Sequence, residues 1–299
     1  MSLSREEESN VRMNLFPVAA KAVLGKADFP WHRDQSGLVT ATLEQSSQAL
    51  AIDVFGTLRE LDKPRPILDS LMSKLGGTPG EDWKVLLERL VPYTVLGESR
   101  STQIDVSLEC NASLVFIECK FTEPDGGGCS QPAPLTKGAN RGIRQCTGDY
   151  ASQVNPVNGI GARCALTGKG IRYWTDVPKV LSIENDIDHF PCPFTGGWYQ
   201  WMRNLVACRA TAEAARKKPA FAVVYADGPF PMASKVKSRE WQEFVALADG
   251  KEVPINAVSY QELLQTSVAA AAAVDQPVLG RLAEWVDRKV AAVAATRMP

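Results

Sequence analysis

Hydrophobic positions along the chain fall into three successive patterns. Around residues 44–59, Leu43, Ala49, Leu50, Ile52, Val54, Phe55 and Leu58 recur at helical spacing, with Ser46 or Thr42 placed to cap the start. Residues 82–90 predict a second helix, entered from Gly76-Gly77-Thr78-Pro79-Gly80, and residues 11–24 an earlier one. The period then changes to two. Gln103-Ile104-Asp105-Val106-Ser107-Leu108-Glu109 alternates polar and apolar residues as a half-buried strand does. Cys110-Asn111-Ala112-Ser113 supplies a turn, and Leu114-Val115-Phe116-Ile117-Glu118-Cys119-Lys120-Phe121 follows as a more apolar strand. So short a link implies an antiparallel hairpin. Residues 93–96 predict a third strand beside it.

From residue 122 to 197 periodicity is weak and Gly, Pro, Asn and Cys are frequent, with one predicted helix near 142–154. Helical spacing returns at 198–217, followed by a buried strand at 221–226 that ends at Asp227-Gly228-Pro229. A helix at 239–247, a short strand at 257–260, a helix at 261–270 and an amphipathic terminal helix from 277 complete the series. Helix, strands, long insertion, helix, strand is the order of a mixed α/β core. One domain over residues 1–299 is expected, with 122–197 as an insertion and 277–299 as a C-terminal helix.

Composition narrows the function classes. The 299 residues carry 33 Lys and Arg against 34 Asp and Glu, a formal charge of -1, so any nucleic-acid contact needs a local patch rather than a basic coat. No apolar run approaches the roughly 20 residues that span a bilayer. The acidic start, MSLSREEESNVR, lacks an apolar signal segment. A soluble cytoplasmic protein without membrane contact is expected. Seven cysteines, an odd number, argue against a disulfide framework and for reduced thiols or a metal site.

Asp105, Glu118 and Lys120 carry the candidate chemistry. Residues i and i+2 of a strand share a face, so Glu118 and Lys120 project together while Cys119 points away. Asp105 lies on the preceding strand, and the hairpin can bring its carboxylate beside Glu118. Two close carboxylates suit a hard divalent cation such as Mg²⁺. The Lys120 ammonium would then orient or help deprotonate an attacking water and offset phosphate charge. The bland alternative is a cross-strand ion pair on a solvated face. The apolar run Leu114–Ile117 argues against it, since it implies burial on both faces.

Gln103-Ile104-Asp105 followed by Ile117-Glu118-Cys119-Lys120 resembles the PD-(D/E)XK nuclease superfamily, the restriction-endonuclease-like fold. Ile104 stands where the signature has proline. The resemblance covers residues 44–226 without the insertion. Ser46-Ser47-Gln48, Tyr199-Gln200-Trp201-Met202-Arg203-Asn204 and Ser259-Tyr260 look like a bacterial subgroup of unassigned biological role. It implies an αβββαβ core and a Mg²⁺- or Mn²⁺-dependent deoxyribonuclease that hydrolyses phosphodiester bonds, in defence or repair. RNA also fits as substrate, and a dimer is compatible. Asp105 and Glu118 would bind the metal with the Cys119 carbonyl, and Lys120 would assist the water. The alternative is a catalytically inactive nucleic-acid-binding or regulatory protein on the same fold.

Such nucleases often aim a glutamate from the first core helix at the metal. Gln48 or Glu44 would fill that place, although Glu44 reads equally well as a helix-surface acid. Gln200 and Arg203, three apart, would face the site from the helix before the last core strand, with Arg203 suited to a phosphate. The other reading for that pair is a solvated helix face. Cys129, Cys146, Cys164 and Cys192 all fall in the insertion and would form a structural Zn²⁺ or iron–sulfur site, with free buried thiols as the default. The insertion is also locally basic. Between residues 137 and 179, Arg141 and Arg144, with Lys137, Arg163, Lys169, Arg172 and Lys179, outnumber Asp149 and Asp176, which suits a nucleic-acid backbone or an ordinary surface.

Overall fold

The computed structural model describes residues 2–151 and 162–297. Its centre is a five-stranded mixed sheet in the order β1-β2-β3-β4-β5: Lys84–Val91, Thr102–Glu109, Ser113–Lys120, Lys218–Tyr225 and Ile255–Ser259. The first three strands are antiparallel, and β4 and β5 run parallel to β3. The link after β2 closes with the Cys110 N–H donating to the Ser113 carbonyl at 3.0 Å. A parallel neighbour needs a crossover, and residues 121–217 provide it on the way from β3 to β4.

Helices cover both faces. α1 (Arg5–Asn14), α2 (Pro17–Val23), α3 (Ser47–Ala51), α4 (Thr57–Glu60) and α5 (Arg65–Leu75) come before the sheet. α6 (Ala165–Gly168) and α7 (Tyr173–Val180) lie in the insertion, and α8 (Tyr199–Ala215) precedes β4. α9 (Pro231–Lys235), α10 (Arg239–Ala246), α11 (Tyr260–Ala270) and α12 (Gln276–Ala295) follow. One apolar layer joins α2, α3, α5, α11 and α12 to Val115, Ile117 and Cys119 of β3. The other joins α7, α8 and α10 to Leu114 and Phe116 of the same strand. All eight residues of β3 are buried, as a strand covered on both faces must be. The αβββαβ order of α5, β1, β2, β3, α8 and β4 makes this a restriction-endonuclease-like fold.

Several predicted elements are corrected. The helix expected at 82–90 is replaced by strand β1, Lys84–Val91, because so short a mixed segment fits either period and pairing with β2 decides it. Residues 93–96 hold a single 3₁₀ turn, Tyr93–Val95, instead of a strand. The predicted helix at 11–24 is two, broken where Pro17 lacks an N–H and starts α2 at its first turn. The helix expected from 44 starts only at Ser47, capped by the Ser46 hydroxyl, and passes through a π-helical turn at Ile52–Gly56. Of the helix expected at 142–154, residues 142–151 are turns and bridges, and the remainder lies outside the described residues.

One irregularity positions the site. Leu87 pairs with Val106 and Arg89 with Ile104, but the pair between them, Glu88 and Asp105, is missing from the ladder. Glu88 has φ +53°, a left-handed angle that costs an L-residue roughly 1–2 kcal/mol. The faces exchange at this point. Val85 and Val106 pack into the first layer, whereas Val91 and Ile104 pack into the second.

Candidate functional site

Main-chain pairing between β2 and β3 ends at Val106 and Ile117. Just beyond it the Asp105 carboxylate accepts the Cys119 N–H at 2.8 Å. A residue's N–H and C=O leave the same edge of a strand, so the Cys119 carbonyl faces the same opening. The Cys119 thiol points into the first layer, where burial raises its pKa well above normal.

Glu118 and Lys120 share the α8 face of β3, as the two-residue period requires. Lys120 Nζ donates to Glu118 Oε1 at 2.8 Å and to Gln200 Oε1 at 3.1 Å. The second oxygen of Glu118 accepts from Asn204 Nδ2 at 2.7 Å. Gln200 and Asn204 are one helical turn apart on α8, so one helix face holds both ends of the acid–lysine pair.

Electrostatics divides the roles. Burial raises the Asp105 pKa well above the usual range, and the charges of Glu118 and Glu88 add to it. Burial works against a charged Lys120, but Glu118 and Asp105 outweigh it and raise its pKa. Lys120 is therefore a donor and a fixed positive charge, and not a base near neutral pH. Asp105 has no charged hydrogen-bond partner among the described residues. An acid crowded by two others and without an ion pair of its own, beside a free-edge carbonyl and a second carboxylate, matches the oxygen donor set of a hard divalent cation.

A second cluster adjoins the first, and sequence reasoning did not reach most of it. Gln48 Nε2 donates to Glu88 Oε1 at 2.6 Å, and Gln103 Nε2 donates to Glu88 Oε2. His32 Nε2 lies 3.2 Å from Glu88 Oε2 and 3.0 Å from Gln103 Nε2. Burial opposes a charge on His32, but the hydrogen bond and charge of Glu88, with Asp105 and Glu118 behind it, raise its pKa above normal. Gln48 thus reaches the site through Glu88. Neither Glu88 nor His32 carried a usable signal, since one sat in a stretch read as helix and the other in a loop. Asn204 was legible only as the last residue of the Tyr199–Asn204 stretch, with no role of its own.

A hollow of about 480 Å³ opens over these groups. Asp105, His32, Gln103, Gln200, Arg203 and Arg100 line it, with Tyr173 and Tyr199 from the α7 and α8 side. Its insertion wall is tied down by Arg172, whose guanidinium donates to the Val95 carbonyl at 2.7 Å.

Other predicted residues lie elsewhere. Glu44 precedes α3, shares no helix face with Gln48, and lines a separate hollow with Met13, Trp285 and Lys289. The chain turns at Leu43–Ser46 before the helix begins, which removes the expected four-residue spacing. Arg141 and Arg144 are exposed on the insertion and do not line the hollow. Cys129, Cys146, Cys164 and Cys192 are free, and burial raises Cys129 to about 11 and Cys192 to about 12. Among the described residues, no group of three or more His, Cys, Asp or Glu could hold a metal ion, these cysteines included. No helix among them is long and apolar enough to cross a membrane.

A family model described as Restriction Endonuclease associating with ARP matches residues 7–284. No curated protein and no solved structure matches the chain.

Proposed function

The chain belongs to the family described as Restriction Endonuclease associating with ARP, and from that premise we propose that it is a Mg²⁺- or Mn²⁺-dependent nuclease that hydrolyses phosphodiester bonds of DNA. The observation that carries this reading is that Asp105 lines the hollow where the β2–β3 ladder ends, with the Glu118–Lys120 pair buried beside it and tied to Gln200 of the hollow's wall. Such a site is of the PD-(D/E)XK type, and the resemblance to that superfamily suggests a role in defence or repair.

The Asp105 and Glu118 carboxylates and the Cys119 carbonyl would hold the cation, which supplies Lewis-acid polarisation and lowers the charge barrier between phosphate and an attacking water. Lys120, kept charged by Glu118 and Asp105, orients that water and stabilises negative charge growing on the phosphoryl oxygens. Gln200 holds the lysine from the opposite side. Arg203 and Arg100 line the approach and would meet flanking phosphates.

The rival is a protein that binds nucleic acid without cutting it. One feature favours it: both oxygens of Glu118 already accept side-chain hydrogen bonds, from Lys120 and Asn204. Plasmid and linear DNA incubated with the pure protein and Mg²⁺ or Mn²⁺, beside Lys120→Ala and Asp105→Ala, separate the two readings. Cleavage by the parent alone supports the nuclease. Equal cleavage by all three ends the assignment to this site, and retention of DNA without any cleavage favours the rival.

A further inference from the structure

We propose that Glu88 is a positioning residue of this site, holding the imidazole of His32 over the hollow so that the ring meets a substrate phosphate beside Asp105. The inference rests on the nuclease reading above. Glu88 is a buried acid in the middle of a strand at φ +53°, a combination that β-structure by itself does not call for. An outlier of this kind points toward function when its side chain has specific partners.

Those partners converge on His32 by two routes. Directly, Glu88 Oε2 faces His32 Nε2 at 3.2 Å. Indirectly, Gln48 donates to Glu88 at 2.6 Å while its own Oε1 accepts the His32 backbone N–H at 3.0 Å. Gln48 also donates to the Pro30 carbonyl at 3.2 Å, tying down the loop that carries the histidine. Ring and backbone of His32 are thus referred to one carboxylate.

The exposures differ in the way a positioner and its working group should. The Glu88 side chain is 2% exposed and that of His32 is 42% exposed. His32 lines the hollow together with Asp105, Gln200 and Arg203. With Nε2 engaged by Glu88 and by Gln103, which itself donates to Glu88, Nδ1 is the nitrogen left to face an incoming phosphate, and the carboxylate and its amide partner set the ring orientation.

The test uses the full chain with DNA and Mg²⁺, comparing the parent with His32→Ala, Glu88→Gln and the double variant. Each single change is expected to lower kcat by roughly tenfold or more with KM within about twofold, and the double variant to be no slower than the slower single. The NMR ring signals of His32, one of two histidines in the chain, are expected to shift in Glu88→Gln while those of His189 stay in place. Should Glu88→Gln not fold, Glu88→Asp, which keeps the charge but retracts it from the ring, takes its place with the same expected losses. Normal kcat in the Glu88 variant, losses that multiply in the double variant, or an unmoved His32 ring overturns the inference and leaves the nuclease reading intact. A parent protein that leaves DNA uncut brings down both.

Discussion

The carboxylate of Asp105 accepts the main-chain N–H of Cys119 at 2.8 Å, so a side chain of β2 takes over the edge of β3 where backbone pairing has stopped. The same geometry sets Asp105 against two other acids, and burial with that repulsion raises its pKa. Asp105→Asn keeps the shape and one acceptor oxygen while removing the repulsion. We expect cleavage to fall by roughly 10²–10⁴-fold. Folding stability should hold or rise, by about 1 kcal/mol. Denaturant melts beside cleavage assays check both signs.

Cation binding should be visible without catalysis. Mg²⁺ at about 100 times its Kd would stabilise the fold by roughly 2.7 kcal/mol through mass action. The thermal midpoint of the parent is therefore expected to rise with Mg²⁺ and return to its starting value with EDTA, whereas Asp105→Ala should not respond. Equal responses from both proteins would place the cation elsewhere.

Arg203 lines the hollow from α8. Its replacement by alanine should weaken DNA binding similarly across sequences and reduce the slope of log K against log salt by about 1, as loss of one phosphate contact does. Fluorescence anisotropy over a salt series measures it. An unchanged slope would take Arg203 off the DNA path.

Asp53 lies inside the π-helical turn and gathers remote parts of the chain. It accepts from Lys289 Nζ at 2.6 Å, from Trp285 Nε1 at 3.0 Å and from the Phe16 N–H at 2.6 Å. Removing one partner of a buried pair strands the other charge, so Lys289→Ala should destabilise by about 3–5 kcal/mol. Replacing both partners with apolar residues should recover much of that loss. Chemical denaturation of the single and double variants decides.

Glu7 provides a pH test far from the site. The Arg33 hydrogen bond and the Ser4 backbone N–H lower its pKa to about 2. A lowered folded pKa contributes stability above the unfolded value of about 4.5, and that contribution is lost as pH falls through the folded value. Amide protection in α1 should therefore decline between pH 4.5 and 2, and Arg33→Ala should flatten that decline.

The local pattern of the chain was enough to define the β2–β3 hairpin and the shared face of Glu118 and Lys120, because a two-residue period and a short turn are local properties. Helix α8, with Gln200 and Arg203, followed from a long 3.6-residue pattern for the same reason. Tertiary structure alone decided that residues 84–91 are a strand, since an eight-residue segment with five apolar and three charged residues is compatible with either period until a neighbour pairs with it. It also decided that Glu88 turns out of its ladder, and that His32, Gln48 and Gln103 meet around it. Those contacts join residues as far as 71 positions apart. No sequence period spans such a distance; only the packing of the N-terminal loop and α3 against the open end of β1 and β2 creates it.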